Sequence, residues 1–460
     1  MEMETIAAIA TAIGEASIGI VRLSGPASVK IARTVFRNFR NESVKTFSPR
    51  RLEYGKIVDP QSGEPVDEVL CVYMPAPHSY TCDDVVEFQT HGGTAVLRRV
   101  LGLLLRQGAR LARPGEFTER AFLNGRIDLS QAEAVMDIIR AKNDSALQNA
   151  TAQLSGALSR QIAEIRRKLL DFVAEAEAAL DYPEEDIDVL SVPSAVAAIE
   201  TAEREIDALL ATAPKGKILR EGLRTVIVGR PNVGKSSLLN ALLGENRALV
   251  TEIPGTTRDS IEEYLDIRGI PLRIVDTAGL RQSEDRIEQL GIQRTREFLA
   301  SAALVLFLLD ASQPLTAEDS EIFRSLPPVP VIIVVNKIDL PQLMDSAEWQ
   351  RLAGAYTVVT LSAKDRTGFE ELEQAIENLV LAGAAINTEM VFLSNTRHFE
   401  GLERAGTHLR SARLALRDGL PLDCATIDLR SALEALGQIT GETVSDEVVR
   451  EIFAKFCLGK

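Results

Sequence analysis

The sequence predicts a multidomain protein of mixed α/β and α class: an α+β N-terminal domain, a discontinuous helical domain, and a P-loop α/β domain inserted into the helical one. Three observations carry that expectation. At 460 residues the chain is too long for one hydrophobic core, and roughly two to four domains fit its length. Residues 225–242 read TVIVGRPNVGKSSLLNAL: a β-branched run, then G-x-x-x-x-G-K-S, then an apolar helix start, the setting in which a loop holds polyphosphate. Residues 382–460 are patterned for helix but are few for a separate core, so they are expected to complete the helical region of residues 119–213.

Composition narrows the class of protein. The chain is 45% hydrophobic and 25% charged, as in an ordinary globular protein and unlike a disordered one. A formal net charge of −15 argues against nucleic-acid binding through bulk electrostatics, so any RNA contact must use local basic patches. Cys71, Cys82, Cys424 and Cys457 are scattered and form no C-x-x-C pair, which suits a reducing compartment. The N-terminal stretch lacks a basic region, and no apolar run reaches the ~18 residues of a membrane span. A soluble, cytoplasmic protein without membrane attachment is expected.

Residues 1–118 mix short β-like runs (17–23, 68–73, 84–89) with helical patterns (28–36, 94–107), as a small α+β domain would. The clusters Pro77-His78-Ser79-Tyr80-Thr81 and His91-Gly92-Gly93 read as turns and caps on composition alone. From about Pro114 the pattern turns helical. Ser130-Gln131-Ala132-Glu133 has the form of a capping box, and one long helix is expected to run on through Ala179 to Asp181-Tyr182-Pro183. A second helix is expected over 194–210. Arg166-Arg167-Lys168 suits a solvated helix face or an RNA patch. Residues 214–222, PKGKILREG, read as a linker into the domain of residues 214–381. There, strand candidates at 225–228, 272–275, 303–309, 329–335 and 357–361 alternate with helices, implying a mainly parallel sheet covered on both faces, with phosphate ligands at the carboxyl ends of its strands. In the tail, Ser445-Asp446-Glu447-Val448 is a weaker capping pattern.

The chemistry concentrates at those strand ends. Gly229 and Gly234 let the P-loop turn its N–H groups inward, Lys235 reaches the outer phosphates, and the Ser236 hydroxyl suits Mg²⁺. Asp276-Thr277-Ala278-Gly279 puts a carboxylate near Mg²⁺ and the Gly279 N–H near the terminal phosphate. In Asn336-Lys337-Ile338-Asp339, Asp339 can accept from the ring N–H and exocyclic amine of guanine, a donor pair adenine lacks, which selects GTP. Ser362-Ala363-Lys364 completes the base pocket by its likeness to small GTPases. Together these predict a Ras-like G domain. The next residue is Leu280, where Ras-like enzymes carry the glutamine that orients the attacking water. Glu288 is a candidate for that task, or a solvated glutamate at a helix start. For charge neutralisation, Asn232 offers an amide oxygen suited to a monovalent cation, and Arg281 is the other candidate.

The set GRPNVGKSSLLNAL, TEIPGTTRD, DTAGLR, NKID and SAK, with GIVRLSG, SYTCDDVVEFQTHGG, RPGEFTERAFLNGRIDLSQAEAV and the terminal FCLGK, closely resembles the MnmE or TrmE family of tRNA-modification GTPases over nearly the whole chain. Two stretches depart from the family's usual form: TAIGEASIGI lacks its TPxGxGG, and SYTCDD replaces SYTGED. The resemblance implies a homodimer held by folate-binding N-terminal domains, and G domains that meet across the dimer. It implies GTP contacts from Asn232, Val233, Gly234, Lys235, Ser236 and Ser237, from Thr251, Glu252, Ile253, Pro254, Gly255, Thr256 and Thr257, from Asp276, Thr277, Ala278 and Gly279, and from Asn336, Lys337, Asp339, Ser362, Ala363 and Lys364. On the same pattern Asn232, Thr251, Ile253 and Thr256 would surround K⁺, and Ser236 and Thr257 would bind Mg²⁺. Lys235, Gly279 and Glu288 would form the catalytic set, with Glu288 helping to orient water.

Arg22, Glu87, Arg126 and Lys460 would surround 5-formyltetrahydrofolate or a related tetrahydrofolate, with Cys457 nearby. The implied partners are tRNA and MnmG (GidA), in a heterotetramer or larger complex. The implied reaction installs an aminomethyl or carboxymethylaminomethyl group at carbon 5 of the wobble uridine. Two rivals are a ribosome-assembly GTPase and a non-catalytic folate-binding scaffold. The N-terminal segments disfavour the first, and Lys235, Asp276 and Glu288 the second. Cys457 lies fourth from the end, but Gly459-Lys460 is a poor ending for a prenylation signal.

Overall fold

A computed structural model describes residues 4–181, 192–246, 263–275, 299–344, 346–354, 356–381 and 392–460. The described chain divides into two compact units, one of residues 1–136, 159–163 and 436–460 and one of residues 137–158 and 164–435. No helix among the described residues is long and apolar enough to cross a membrane.

The first unit is built on a seven-stranded sheet of β1 (Ile6–Ile9), β2 (Ile18–Ser24), β3 (Phe36–Asn38), β4 (Glu53–Val58), β5 (Pro65–Met74), β6 (Val85–His91) and β7 (Arg110–Leu111). Their spatial order is β3-β4-β5-β6-β2-β1-β7, antiparallel except for the β1–β7 pair. Strand alternation sends Val21, Leu23, Val86 and Phe88 to one face, where the Ser28–Val35 and Thr94–Arg106 helices bury them with Ile31, Leu97 and Leu104. The same alternation sends Arg22 and Glu87, directly opposite in register, to the other face. Ile6, Ala8 and Phe117 form a smaller apolar cluster, with Tyr80 against it. The Asp446–Ala454 helix closes this unit, packing Val449 and Phe453 against Ala121, Leu129 and Met136.

In the second unit, β8 (Leu223–Val228), β9 (Glu263–Ile267), β10 (Ile270–Ile274), β11 (Leu304–Asp310), β12 (Val331–Asn336) and β13 (Thr357–Thr360) form a sheet of order β13-β12-β11-β8-β10-β9. It is parallel apart from the edge hairpin β9–β10, with one apolar core on each face. Five of its strands match the expected positions to within about two residues at each end; β9 was not anticipated. The Val192–Leu210 helix packs beside Thr396–Arg417, joined by Glu203–Arg413 at 3.0 Å. Helices on either side of the inserted sheet in sequence are therefore neighbours in space. The chain is thus a multidomain assembly of an α+β N-terminal region, a discontinuous helical region and a Ras-like G domain.

Four local expectations are corrected. The stretch from Ser130 to Asp181 is three helices, Leu129–Arg140, Asp144–Leu154 and Ala157–Asp181, because Asn143 caps a new start by accepting from Ala146 N at 2.9 Å and Gly156 adopts φ +81°. The first is capped by Asp128 rather than Ser130: Asp128 Oδ1 accepts from Gln131 N, and Gln131 Oε1 accepts from Asp128 N, both at 2.9 Å. Ser130 instead bonds Asp128 and Ser159 through its hydroxyl. Residues 214–222, read as linker, fall almost wholly in the Ala213–Glu221 helix, which ends at Gly222 with φ +80°. Packing decides their state, since Gly216 lies so close to Leu393 O that a Cβ would overlap it. At Ser445 the cap position is occupied, but no side-chain cap bond forms.

Candidate functional site

The nucleotide loop follows β8. Its three residues with positive φ are Gly229 (+154°), Asn232 (+63°) and Gly234 (+99°). A Cβ on Gly229 would lie 2.5 Å from Leu308 O, and one on Gly234 would overlap Asn336 Nδ2, so both positions require glycine for space as well as torsion. Val233 is buried, whereas Asn232, Ser236 and Ser237 are exposed. Lys235, at the start of the Lys235–Asn246 helix, donates to Gly229 O at 2.8 Å and Arg230 O at 2.6 Å. Burial lowers its pKa, against a small opposing pull from Glu318. A cationic amine held beside the loop's N–H groups at a helix N-terminus is a seat for polyphosphate.

Asn336, 1% exposed at the end of β12, knits the base loop to the phosphate loop. Its Nδ2 donates to Val233 O at 2.8 Å, and its Oδ1 accepts from Ala363 N at 3.0 Å. Ser362 Oγ donates to Asp339 Oδ1 at 2.7 Å and accepts from Asp365 N at 3.1 Å, which orients an exposed carboxylate. Lys337, at φ +65°, donates to Asp310 Oδ2 at 2.7 Å. Burial pushes the Asp310 pKa up, but Lys337 and the Ser312 hydroxyl and N–H together hold it below its ordinary value. Lys364 stands beside this cluster in sequence and is exposed.

Thr251, Glu252, Ile253, Pro254, Gly255, Thr256, Thr257, Asp276, Thr277, Ala278, Gly279 and Glu288 lie outside the described residues. Two structural pairs were not found from the sequence. Arg230 of the P-loop bonds the fully buried Asp319 at 2.7 Å, and Asp319 also caps the Ala317–Arg324 helix with Thr316. The only sequence signal for Asp319 was Thr316-x-x-Asp319. Asp310 carried one too, as an acid ending an apolar strand.

The second site lies on the face of the N-terminal sheet opposite the Ser28–Val35 and Thr94–Arg106 helices, beside the cluster of Ile6, Ala8 and Phe117. Arg22 Nε bonds Glu87 Oε1 at 2.6 Å, both side chains being mostly buried. The Arg22 guanidinium sits 5.5 Å from the ring centroids of both Tyr80 and Phe117. Arg126 covers the Tyr80 ring at 4.9 Å and donates to Tyr80 O at 3.0 Å. Tyr80, read as a turn residue in the sequence, is therefore what joins Arg126 to Arg22.

The carboxyl terminus folds into the same place. Phe117 N donates to Lys460 O at 3.1 Å and Gly115 N to Cys457 O at 3.3 Å, while Arg22 Nη1 reaches Gly459 O at 3.5 Å. Burial, and then the charge of Arg22, lowers the Lys460 pKa, with Cys457 and Glu87 opposing. Arg22, Glu87 and Lys460 are thus brought together, and Arg126 is linked through an aromatic ring. Beside them a cavity of about 670 Å³ is lined by Arg50, Val72, Met74, Tyr80, Cys82 and Arg126 among others. Cations, aromatic faces and one carboxylate are what a planar, heteroaromatic, anionic ligand requires.

A family profile described as the MnmE helical domain matches residues 129–457, and one described as the GTP-binding protein TrmE N-terminus matches residues 5–126. Among curated relatives, the tRNA modification GTPase MnmE of Geobacillus thermodenitrificans is 49% identical over 460 residues, covering 100% of both chains. That of Lysinibacillus sphaericus is 48% identical over 461 residues, again with 100% of each chain covered. The protein of the same name from Alkaliphilus metalliredigens is 47% identical over 457 residues, or 99% of each chain. By these two family matches and this full-length similarity, the chain belongs to the MnmE (TrmE) family of tRNA modification GTPases.

Proposed function

We propose that this GTPase is potassium-dependent and works as a homodimer with an MnmG (GidA) partner. Together they would convert carbon 5 of the wobble uridine in certain tRNAs to an aminomethyl or carboxymethylaminomethyl form. A tetrahydrofolate, such as 5-formyltetrahydrofolate, supplies the one-carbon unit. The observation that carries this reading is that one chain holds two chemically different sites, a guanine-reading P-loop site and an arginine-aromatic site that includes the carboxyl-terminal Lys460.

Within the nucleotide site, Asp339 selects guanine, Lys235 and the loop N–H groups hold the phosphates, and the Gly279 N–H meets the terminal one. Leu280 cannot orient water, so Glu288 takes that task. The donor set for metals fits its proposed ions. Asn232 is exposed at φ +63° and, with Thr251, Ile253 and Thr256, offers neutral oxygens suited to K⁺, while the exposed Ser236 hydroxyl and Thr257 suit Mg²⁺. When bound, these ions supply positive charge against the phosphate oxygens, the role an arginine finger has elsewhere. In the second site, Glu87 accepts hydrogen bonds from a pterin-like ring, and Arg22, Arg126 and Lys460 offset carboxylate charge.

GTP turnover is expected to be roughly 100-fold faster in K⁺ than in Na⁺, the scale of one lost electrostatic stabiliser; equal rates in the two salts would remove the potassium claim. The wider function is tested by mass spectrometry of tRNA nucleosides from cells lacking the protein. Loss of the carbon-5 substituent from the wobble uridine is expected, and an unchanged wobble uridine would favour a role in ribosome assembly.

A further inference from the structure

The Asp144–Leu154 helix belongs to neither site, yet it is hydrogen-bonded at its start to the inserted sheet and further along to the chain that follows the inserted domain. At its start, the amide of Asn143 does two things at once. Its Oδ1 accepts from Ala146 N at 2.9 Å and so caps the helix. Its Nδ2 donates to Asp266 Oδ1 and Gly269 O, both at 3.0 Å.

Those acceptors sit at the tip of the β9–β10 hairpin, where Arg268 (φ +49°) and Gly269 (φ +83°) make a two-residue turn. The contact is close, since a Cβ on Gly269 would come 2.6 Å from Ser145 Oγ. The Lys142 ammonium also lies 5.5 Å from the ring centroid of Tyr264.

Further along the helix, Asn149 holds both sides of one residue's backbone, accepting from Phe392 N at 2.9 Å and donating to Phe392 O at 3.2 Å. Gln153, one turn later, donates to Phe392 O at 2.9 Å and to Ser394 Oγ at 3.2 Å. Residues 392–394 are where the described chain resumes after the inserted domain. Leu393 N also donates to Thr212 Oγ1 at 3.0 Å, at the start of the helix that enters the domain. Asn149 and Gln153 are 9% and 1% exposed. Breaking their bonds without replacement would strand buried polar groups, so this grip is stiff.

The hairpin's far end points back to the nucleotide in sequence. β9 begins at Glu263, shortly after Thr257, and β10 ends at Ile274, just before Asp276. Five residues of paired strand span about 17 Å and move as one piece.

We propose that the Asp144–Leu154 helix is a coupling element: Asn143 fixes it to the β9–β10 hairpin, and Asn149 and Gln153 fix it to the returning chain. A shift of the hairpin during the GTP cycle is thereby carried to the helices after residue 392. Asn143 is a positioning residue in this scheme. The inference rests on the reading that Thr257 and Asp276 border the terminal phosphate.

Hydrogen exchange read by mass spectrometry on the full chain tests it, comparing GDP with GDP plus aluminium fluoride in Mg²⁺ and K⁺. In the wild type, amides of 144–154 and 392–417 are expected to exchange at rates differing about fivefold or more between the two states. Asn143→Asp retains a capping oxygen but sets a carboxylate against Asp266, which severs the clamp alone. In that variant the difference over 392–417 is expected to fall below about twofold, while the response of 229–238 persists. Adding Asp266→Asn returns an amide donor to the pair and is expected to restore most of the difference.

A wild type whose P-loop responds while 144–154 and 392–417 do not would overturn the coupling and leave the nucleotide reading intact. So would an Asn143→Asp protein with the full difference. No protection of 229–238 and 336–339 by GDP in the wild type would overturn both. Should Asn143→Asp fail to fold, the wild-type comparison still decides, and Asp266→Ala removes one clamp bond without touching the cap.

Discussion

Replacing Asp339 with asparagine is expected to weaken GTP binding by roughly 30- to 1000-fold, the loss of about 2–4 kcal/mol for two charge-assisted hydrogen bonds. Guanine presents a ring N–H and an exocyclic amine side by side, and a carboxylate accepts from both. Ser362 Oγ holds Asp339 Oδ1 at 2.7 Å, so the acceptor pair is oriented before the base arrives and little ordering is needed on binding. An amide at the same place offers one acceptor and one donor. It therefore opposes the guanine amine and suits a base with a carbonyl at that position. Xanthosine diphosphate is expected to gain affinity in the variant as GDP loses it. Competition against a fluorescent GDP measures both changes, and an unaltered preference for GDP would refute the role of Asp339. Asn336 is a poorer probe, because its side chain ties Val233 O to Ala363 N and its removal would disturb the phosphate loop as well.

How much of this was legible in the sequence differed between the sites. The P-loop and the base-reading loop are local motifs, each a few consecutive residues at the end of an apolar strand, so short-range pattern located them. What joins them is long-range. The bond from Asn336 to Val233 O spans 103 residues and that from Arg230 to Asp319 spans 89, and no periodicity encodes such pairs. The N-terminal site shows the same limit more sharply. Arg22 and Glu87 sit opposite each other because β2 pairs with β6 in one register, a choice fixed by burial of Val21, Leu23, Val86 and Phe88 on the other face. Only the family resemblance of separate segments brought the four residues into one list, and it did not point to Tyr80 or Phe117 as their aromatic frame.

In the helical region the reverse happened. The signals for a broken helix, Asn143 ahead of Asp144 and Ser155-Gly156, were present in the sequence. They were outweighed by continuous helical periodicity. Residues 214–222 read as linker because Pro214, Gly216 and two lysines have linker composition, whereas contact with Leu393 and burial of Leu219 set their conformation.

Gly459→Ala is expected to lower affinity for 5-formyltetrahydrofolate by about 10- to 100-fold while leaving GTP turnover in place. Gly459 has φ +90°, a torsion that costs a side-chain-bearing residue about 1–2 kcal/mol. An added Cβ would also overlap Ile9 O and lie 3.0 Å from Ala10 Cα. The end of β1 cannot recede, because Ile9 pairs with Val21 of β2 and Ala10 N donates to Ile20 O at 2.8 Å. The tail must therefore move. With it go the Arg22–Gly459 O contact and the bond from Phe117 N that anchors Lys460 O, so that the terminal ammonium leaves the neighbourhood of Arg22 and Glu87. Calorimetric titration with 5-formyltetrahydrofolate measures the loss, and GTP hydrolysis in the same preparation serves as the control. Unchanged folate affinity would show that the carboxyl terminus takes no part in that site, and a parallel fall in GTP turnover would trace the effect to misfolding instead.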